Sequence, residues 1–242
     1  MILCIYKPSE KSRFELLLEI GKLLYSEYRF KWPQLNWWKD EQFTQYLRKF
    51  NEDVGLNSDR RWMLNELLKL TKNIEGDTAE CGVYLGASSY LICQSNEMSQ
   101  LSKTHFGFDS FEGLSKPKAE DGHYWKEGDL SVSMQMCKSN LSEFSSVELI
   151  KGWIPSGFKK VADRKFSFVH IDVDIYQPTK DSIEFFYSRL NPGGVFLCDD
   201  YGFSTCPGVK QALDEFLADK NEKMITLPDG GGFFIKNIIY SI

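Results

Sequence analysis

Glu80-Cys81-Gly82-Val83-Tyr84-Leu85-Gly86-Ala87-Ser88 is the stretch on which the fold turns. Residues 78–83 read as a short strand that runs into Gly82 and Gly86, and a helical stretch opens at Ala87. Glycine at both positions permits a tight turn and a close approach of backbone to ligand, with helix N–H groups just beyond. The spacing is ExGxxxG and not GxGxxG, so the pyrophosphate cradle of a dinucleotide site is missing, and with it the case for a nicotinamide oxidoreductase. An acidic residue ahead of the glycines suits a ligand with a positive centre or an amino group. An ordinary βα turn is the other reading that this stretch leaves open.

Downstream the same grammar repeats. Residues 104–109, 147–150, 166–172 and 194–199 read as further strands. Their near-continuous apolar runs suit parallel strands covered on both faces. Ile183, Phe186, Tyr187 and Leu190 recur at helical spacing, as do Val209, Ala212, Leu213, Phe216 and Leu217. Residues 224–227 and 233–236 flank Pro228-Asp229-Gly230-Gly231-Gly232 and read as a hairpin; its glycines serve a turn and not a phosphate, because no helix follows. The fold class is therefore α/β: a Rossmann-like doubly wound sheet, mostly parallel, finishing in an antiparallel hairpin strand. Upstream the pattern is helical. Phe14, Leu17, Leu18, Leu23 and Leu24 form one set, and Phe43, Tyr46, Leu47 and Phe50 a second. A third helix is expected from an N-cap at Ser58 through Trp62, Leu64, Leu67 and Leu68. The chain thus divides into a helical segment, 1–73, and a sheet domain, 74–242.

Ligands of such sheets sit at the carboxyl ends of strands, near the point where strand order reverses. Glu80, Asp109, Gly152, Asp172, Asp199 and Asp200 end strands here. Asp109 can accept both hydroxyls of a ribose, or serve as a cap or turn aspartate before Ser110-Phe111-Glu112-Gly113. His170-Ile171-Asp172-Val173-Asp174 and Asp199-Asp200 bring several carboxylates to one spot, where each would raise the pKa of the others. A hard divalent cation with oxygen ligands resolves that repulsion. A helix cap near Pro178-Thr179 and a lysine partner would account for single aspartates, not for all of them. Trp153 offers a face to a planar base or simply packs. His123, in a polar loop, is a candidate base or an exposed histidine without a role.

The 242 residues, 42% hydrophobic and 26% charged, suffice for one α/β domain with an extension and exclude bulk disorder. A net charge of −5 disfavours a sequence-independent nucleic-acid binder and a sensor of anionic membranes. The start carries no apolar run of signal-peptide length, and no segment is long enough to span a bilayer. Cys4, Cys81, Cys93, Cys137, Cys198 and Cys206 are scattered without a CxxC pair, as buried small hydrophobes in a reducing compartment would be; the expected location is the cytoplasm. Aromatic residues reach 14%. The surplus is expected in Trp32, Trp37, Trp38, Tyr46, Trp62, Tyr124 and Trp125, either covering a site or packing an interface.

Residues 80–89, 106–114, 151–153, 170–176 and 197–207 together resemble the class I S-adenosylmethionine-dependent methyltransferases, and among them the macrocin O-methyltransferase (TylF/MycF-type) family. The resemblance implies a place for Glu80 near the methionine end of the cofactor, inside a loop of Gly82, Tyr84, Gly86 and Ser88. It implies Asp109, with Ser110 beside it, at the ribose, and Gly152 and Trp153 at the adenine. Asp172, Asp199 and Asp200 fall on positions that hold Mg2+ in metal-dependent members. The implied reaction is methyl transfer to a hydroxyl of a sugar or glycosylated small molecule, with Asp172, Asp174 or His123 taking the proton. The helical segment would act as a lid and as the contact of a homo-oligomer, a dimer or tetramer. The lid and residues 115–130 would set the acceptor, and there the resemblance is weakest, so a macrolide acceptor is not carried over. Two rivals stand beside this expectation. A metal-dependent glycosyltransferase would use Asp172-Val173-Asp174 as a DxD but leave the Glu80 loop and Asp199-Asp200 without a role. A non-catalytic protein of the same fold would bind cofactor without metal.

Overall fold

The computed structural model describes residues 9–27, 35–53 and 57–237, and the chain divides into two compact units, 1–46 and 47–242. In the first unit, α1 (Glu10–Leu24) opens at Ser9, whose hydroxyl accepts from the Ser12 N–H at 3.2 Å. A 3-10 turn at Asn36–Lys39 sets Trp37 edge-on to Trp38 and to Phe43, with centroids 5.8 and 6.0 Å apart. Asp40 accepts from the Phe43 N–H at 2.9 Å and starts α2 (Glu41–Lys49), within which the division between units falls. Trp32 and Cys4 lie outside the described residues.

The second unit begins with the end of α2 and α3 (Ser58–Leu68), and is built on a seven-stranded sheet. Its strands are β1 (Asp77–Cys81), β2 (His105–Asp109), β3 (Val147–Lys151), β4 (Phe166–Ile171), β5 (Leu190–Cys198), β6 (Ile225–Thr226) and β7 (Gly232–Ile235). They lie in the order β3-β2-β1-β4-β5-β7-β6, parallel from β3 to β5 and antiparallel at β7 and β6. Every residue of β4 is buried, as a central strand covered on both faces requires. The intervening helices are α4 (Ala87–Glu97), α5 (Met134–Asn140), α6 (Tyr176–Phe186) and α7 (Pro207–Leu217), the last with proline in its first turn. No helix among the described residues is long and apolar enough to cross a membrane.

Three local expectations are corrected. Leu190 is not the last apolar residue of a helix: α6 stops at Phe186, and Leu190 opens β5 opposite Phe166 because the Pro192-Gly193-Gly194 run can extend an irregular strand but not a helix. Asn57, not Ser58, occupies the cap position of α3, with no side-chain capping bond. Of the aromatic residues expected outside the core, Tyr46 is buried, while many phenylalanines build the core. Phe108 and Phe158, Phe158 and Phe186, and Phe166 and Phe186 interlock with centroids 5.1 Å apart, and Phe196 stacks on Phe234 at 5.0 Å across β5 and β7. The described cysteines Cys81, Cys93, Cys137, Cys198 and Cys206 are all buried and free.

Candidate active site

The sheet reverses its direction of growth between β1 and β4, and the strand ends there are stitched together by backbone. Gly82 N–H donates to the Phe108 carbonyl at 2.9 Å, Asp172 N–H to Cys81 at 2.8 Å, and Asp199 N–H to Ile171 at 2.9 Å. Gly82 can be nothing else: at φ +85°, a Cβ there would stand 1.7 Å from the Asp172 carbonyl oxygen. Gly86, at φ 87°, caps α4 in the left-handed region. Tyr84 also takes a positive φ, 51°, strain of the kind that persists where surrounding structure over-determines a loop.

A cavity of about 570 Å³ opens over these ends, a volume typical of small-molecule sites. Its wall includes Gly82, Tyr84, Ser88, Asp109, Ser110, Gly152 and Trp153, together with Asp172, Asp174 and Asp200. Asp109 does more than face the cavity. One carboxylate oxygen accepts from the Val83 and Tyr84 N–H groups at 2.8 and 2.9 Å, and the other from Phe111 at 2.6 Å, so it closes the glycine loop. Ser110 is drawn into its own turn by donating to the Gly113 carbonyl at 2.8 Å. Tyr124 and Trp125 line the cavity, whereas Trp62 is not on its wall. His123, beside Tyr124, is exposed and does not reach it.

Glu80 is not on the wall either. It is buried behind the loop, bonded to the Ser89 hydroxyl, and accepts from His170 Nδ1 at 2.9 Å with His105 Nε2 at 3.5 Å. Burial opposes its charge, but the two imidazoles outweigh that and hold its pKa down at about 2. His170 is pushed up to about 10: burial works against it, and the Asp199 and Glu80 carboxylates win.

The second acidic centre carries Asp172, Asp174, Asp199 and Asp200, of which all but Asp172 are buried. Arg60 of α3 projects into it. Its Nη2 bonds Asp199 and lies 3.6 Å from both Asp172 Oδ1 and Asp200 Oδ1. Asp199 is held well below the usual carboxylate range, because Arg60, His170 and Arg61 together overcome its burial. The others go the opposite way. Burial and the neighbouring charge of Asp199 raise Asp172 to about 6. Burial and Asp172 raise Asp174 to about 8, and burial with Asp174 lifts Asp200 well above the usual range. Arg61, next to Arg60, takes Glu52 in a fork at 3.0 and 3.1 Å and donates to the Ser88 hydroxyl at 2.6 Å. Neither arginine stands out in the sequence. They precede Asp199 by 139 and 138 residues, and two basic residues on an amphipathic helix look like a solvated face.

The donor set suits a hard divalent cation. Groups from His170, Asp172 and Asp199, and separately from Asp174, Asp200 and Cys206, lie within 4.8 Å of one another. The carboxylates supply the oxygen ligands that Mg2+ takes, and Arg60 meets three of them with a single nitrogen.

Residues 59–235 match the family model described as macrocin-O-methyltransferase (TylF). The chain belongs to that family. Over 149 residues, 57% of each protein, it is 26% identical to the 8-demethyl-8-(2,3-dimethoxy-alpha-L-rhamnosyl)-tetracenomycin-C 4'-O-methyltransferase of Streptomyces olivaceus. Over 179 residues, 67% of this chain and 66% of the other, it is 26% identical to the demethyldecarbamoylnovobiocin O-methyltransferase of Streptomyces niveus. Over 163 residues, 61% of this chain and 62% of the other, the same identity relates it to the mycinamicin III 3''-O-methyltransferase of Micromonospora griseorubida. The match thus spans somewhat under two thirds of the length of these relatives. The fold is shared with the O-methyltransferase NovP, at a TM-score of 0.61 and 23% identity over 77% of this chain and 82% of that one. It is shared with the calicheamicin methyltransferase CalS11 at a TM-score of 0.65 and 16% identity, over 97% and 96% of the two chains.

Proposed function

We propose that the chain is a Mg2+-dependent O-methyltransferase that moves a methyl group from S-adenosylmethionine to a hydroxyl of a sugar or glycosylated small molecule. The observation that carries this reading is the meeting of the β1 glycine loop with the carboxylates after β4 and β5 on one cavity, in a member of the TylF family. The names of the three relatives, all O-methyltransferases and two of them named for glycosidic positions, support the acceptor class.

In this reading Gly82, Tyr84, Gly86 and Ser88 surround the methionine portion of the cofactor, Asp109 and Ser110 meet its ribose, and Gly152 and Trp153 border the adenine. Glu80 acts from behind the loop, through Ser89 and the two histidines. Transfer is an in-line displacement: a hydroxyl oxygen forms its bond to the methyl carbon as the carbon–sulfur bond breaks and its electron pair returns to sulfur, so positioning supplies much of the rate. Asp172, Asp199 and Asp200 would hold Mg2+, which lowers the pKa of a bound hydroxyl and fixes it in place. Asp172 is the acceptor of the hydroxyl proton, since it faces the cavity and is the least buried of the four aspartates. The part of the helical segment after residue 46 serves as a lid, with Phe50, Asn57 and Arg60 on the cavity wall. The exposed Leu16, Leu17, Leu23 and Leu24 of α1 form the contact of a homo-oligomer, and a monomeric mass by light scattering would remove that part. Five buried free thiols suit the cytoplasm.

The test is transfer of labelled methyl from S-adenosylmethionine to a panel of sugars, nucleotide sugars and catechols, with and without EDTA. Transfer to a sugar that EDTA abolishes is expected. Full activity in EDTA would refute the metal role, and tight binding of UDP-sugars without S-adenosylhomocysteine binding would favour a glycosyltransferase instead.

A further inference from the structure

We propose that Arg60 is a tethered counter-cation: it holds the carboxylates after β4 and β5 together in the metal-free protein, and a divalent cation must displace it, releasing α3 from the strand ends. The inference rests on the reading that Asp172, Asp199 and Asp200 bind such a cation.

A single nitrogen, Nη2, serves three carboxylates drawn from two strand ends. That is the position a small cation would take among them, and it is a poor one for a guanidinium. The planar fork that makes arginine a strong carboxylate partner is unused. Arg60 Nε is buried with no hydrogen-bond partner, a desolvated donor left unmade. The remaining supports are weak: a 3.4 Å contact from Nη1 to Asn57 Oδ1 and the Phe203 ring 5.0 Å from the guanidinium carbon. Arg61 shows what a built arginine site looks like on the same helix, with its fork filled by Glu52 and a further bond to Ser88. Arg61 keeps Glu52 and Ser88 whether or not Arg60 is exchanged, and Arg60 is the tie from α3 to Asp172 and Asp200. Charge points the same way. Arg60, Arg61 and His170 converge on Asp199, whereas among the described residues Asp172 and Asp200 have Arg60 Nη2 alone as a cationic partner, at 3.6 Å, so a divalent ion gains most against those two.

The experiment uses the full chain and Mn2+ as the probe, with binding read by calorimetry and by the electron paramagnetic resonance of free Mn2+. Wild type is compared with R60Q. The variant should bind Mn2+ about tenfold tighter or more, the equivalent of one charge-assisted hydrogen bond that no longer has to be broken. Its metal-free form should melt lower, and Mn2+ should raise its melting temperature more than it raises that of wild type. Hydrogen exchange supplies an arm that needs no variant: in wild type, saturating Mn2+ should speed exchange of the α3 amides, and unchanged α3 exchange would overturn the displacement. Equal or weaker Mn2+ binding by folded R60Q would overturn it as well. Absence of Mn2+ binding in both proteins would instead defeat the metal reading on which the inference stands.

Discussion

Glu80 and Asp199 are both buried carboxylates that face His170, at Nδ1 and Nε2 respectively, and their surroundings differ in kind. Around Glu80 the donors are sufficient: Ser89, His170 and His105 leave its charge well stabilised deep in the sheet. Asp199 is also held charged, by Arg60, His170 and Arg61, but its neighbours are not so supplied. Three more carboxylates crowd the same space, Arg60 reaches Asp172 and Asp200 among them at 3.6 Å with the same nitrogen, and two of the acids are driven to hold protons. A saturated network of this sort is scaffold, since nothing in it asks for a further partner. An unsaturated one, open to a cavity, is where a ligand gains most by binding.

Removing Asp199 should have the largest effect on that comparison. Asp199→Ala is expected to lower methyl transfer and Mn2+ affinity by more than about a hundredfold, beyond what changes outside a metal's direct ligands cost, while cofactor binding persists. Retained Mn2+ binding would place the cation elsewhere. Glu80→Gln attacks the saturated side and should act on stability. The Glu80 pKa is lowered in the folded protein from its ordinary 4.5 to about 2, so its contribution is complete above about pH 4.5 and disappears as pH falls toward 2. In urea unfolding the variant should lose about 3 kcal/mol at neutral pH, and its stability should fall less steeply than that of wild type between pH 4.5 and 2. Identical acid limbs for the two proteins would show that Glu80 is not charged in the fold. The smallest effect is expected for Asp174→Asn, which replaces a carboxyl that already carries its proton at neutral pH. Its melting temperature in EDTA should stay close to that of wild type, within about 1 kcal/mol of stability. A large loss there would mean that Asp174 is ionised and belongs among the charged members of the cluster.

Much of the fold was legible because strands covered on both faces write themselves as unbroken apolar runs, as 166–171 does, and because two glycines mark the β1 turn. The carboxylates were legible for a related reason: parallel strands end on one edge of the sheet, so Asp172 and Asp199 had to be neighbours. Side-chain direction was not legible. Glu80 precedes Gly82 and reads as a loop residue, but the period-two alternation of β1 turns it into the layer between sheet and α4, where Ser89 and His105 meet it. His123 and Tyr124 are adjacent in sequence, yet only Tyr124 reaches the cavity. Composition alone likewise did not separate the aromatics that line the cavity, Tyr124 and Trp125, from Phe108, Phe158 and Phe186, which build the interior.

By itself, then, the sequence determined the doubly wound sheet, the edge on which its acids gather and the family to which the chain is similar, all of which follow from local periodicity and short motifs. Only the tertiary structure decided which charges meet. Arg60 and Asp199 stand 139 residues apart, and no local pattern connects a helix ahead of the first strand with the end of the fifth. Their meeting depends on how α3 packs beside α4, a long-range fact. It turns an excess of carboxylates into a cluster that Arg60 ties together through one nitrogen, with Arg61 and His170 supporting Asp199.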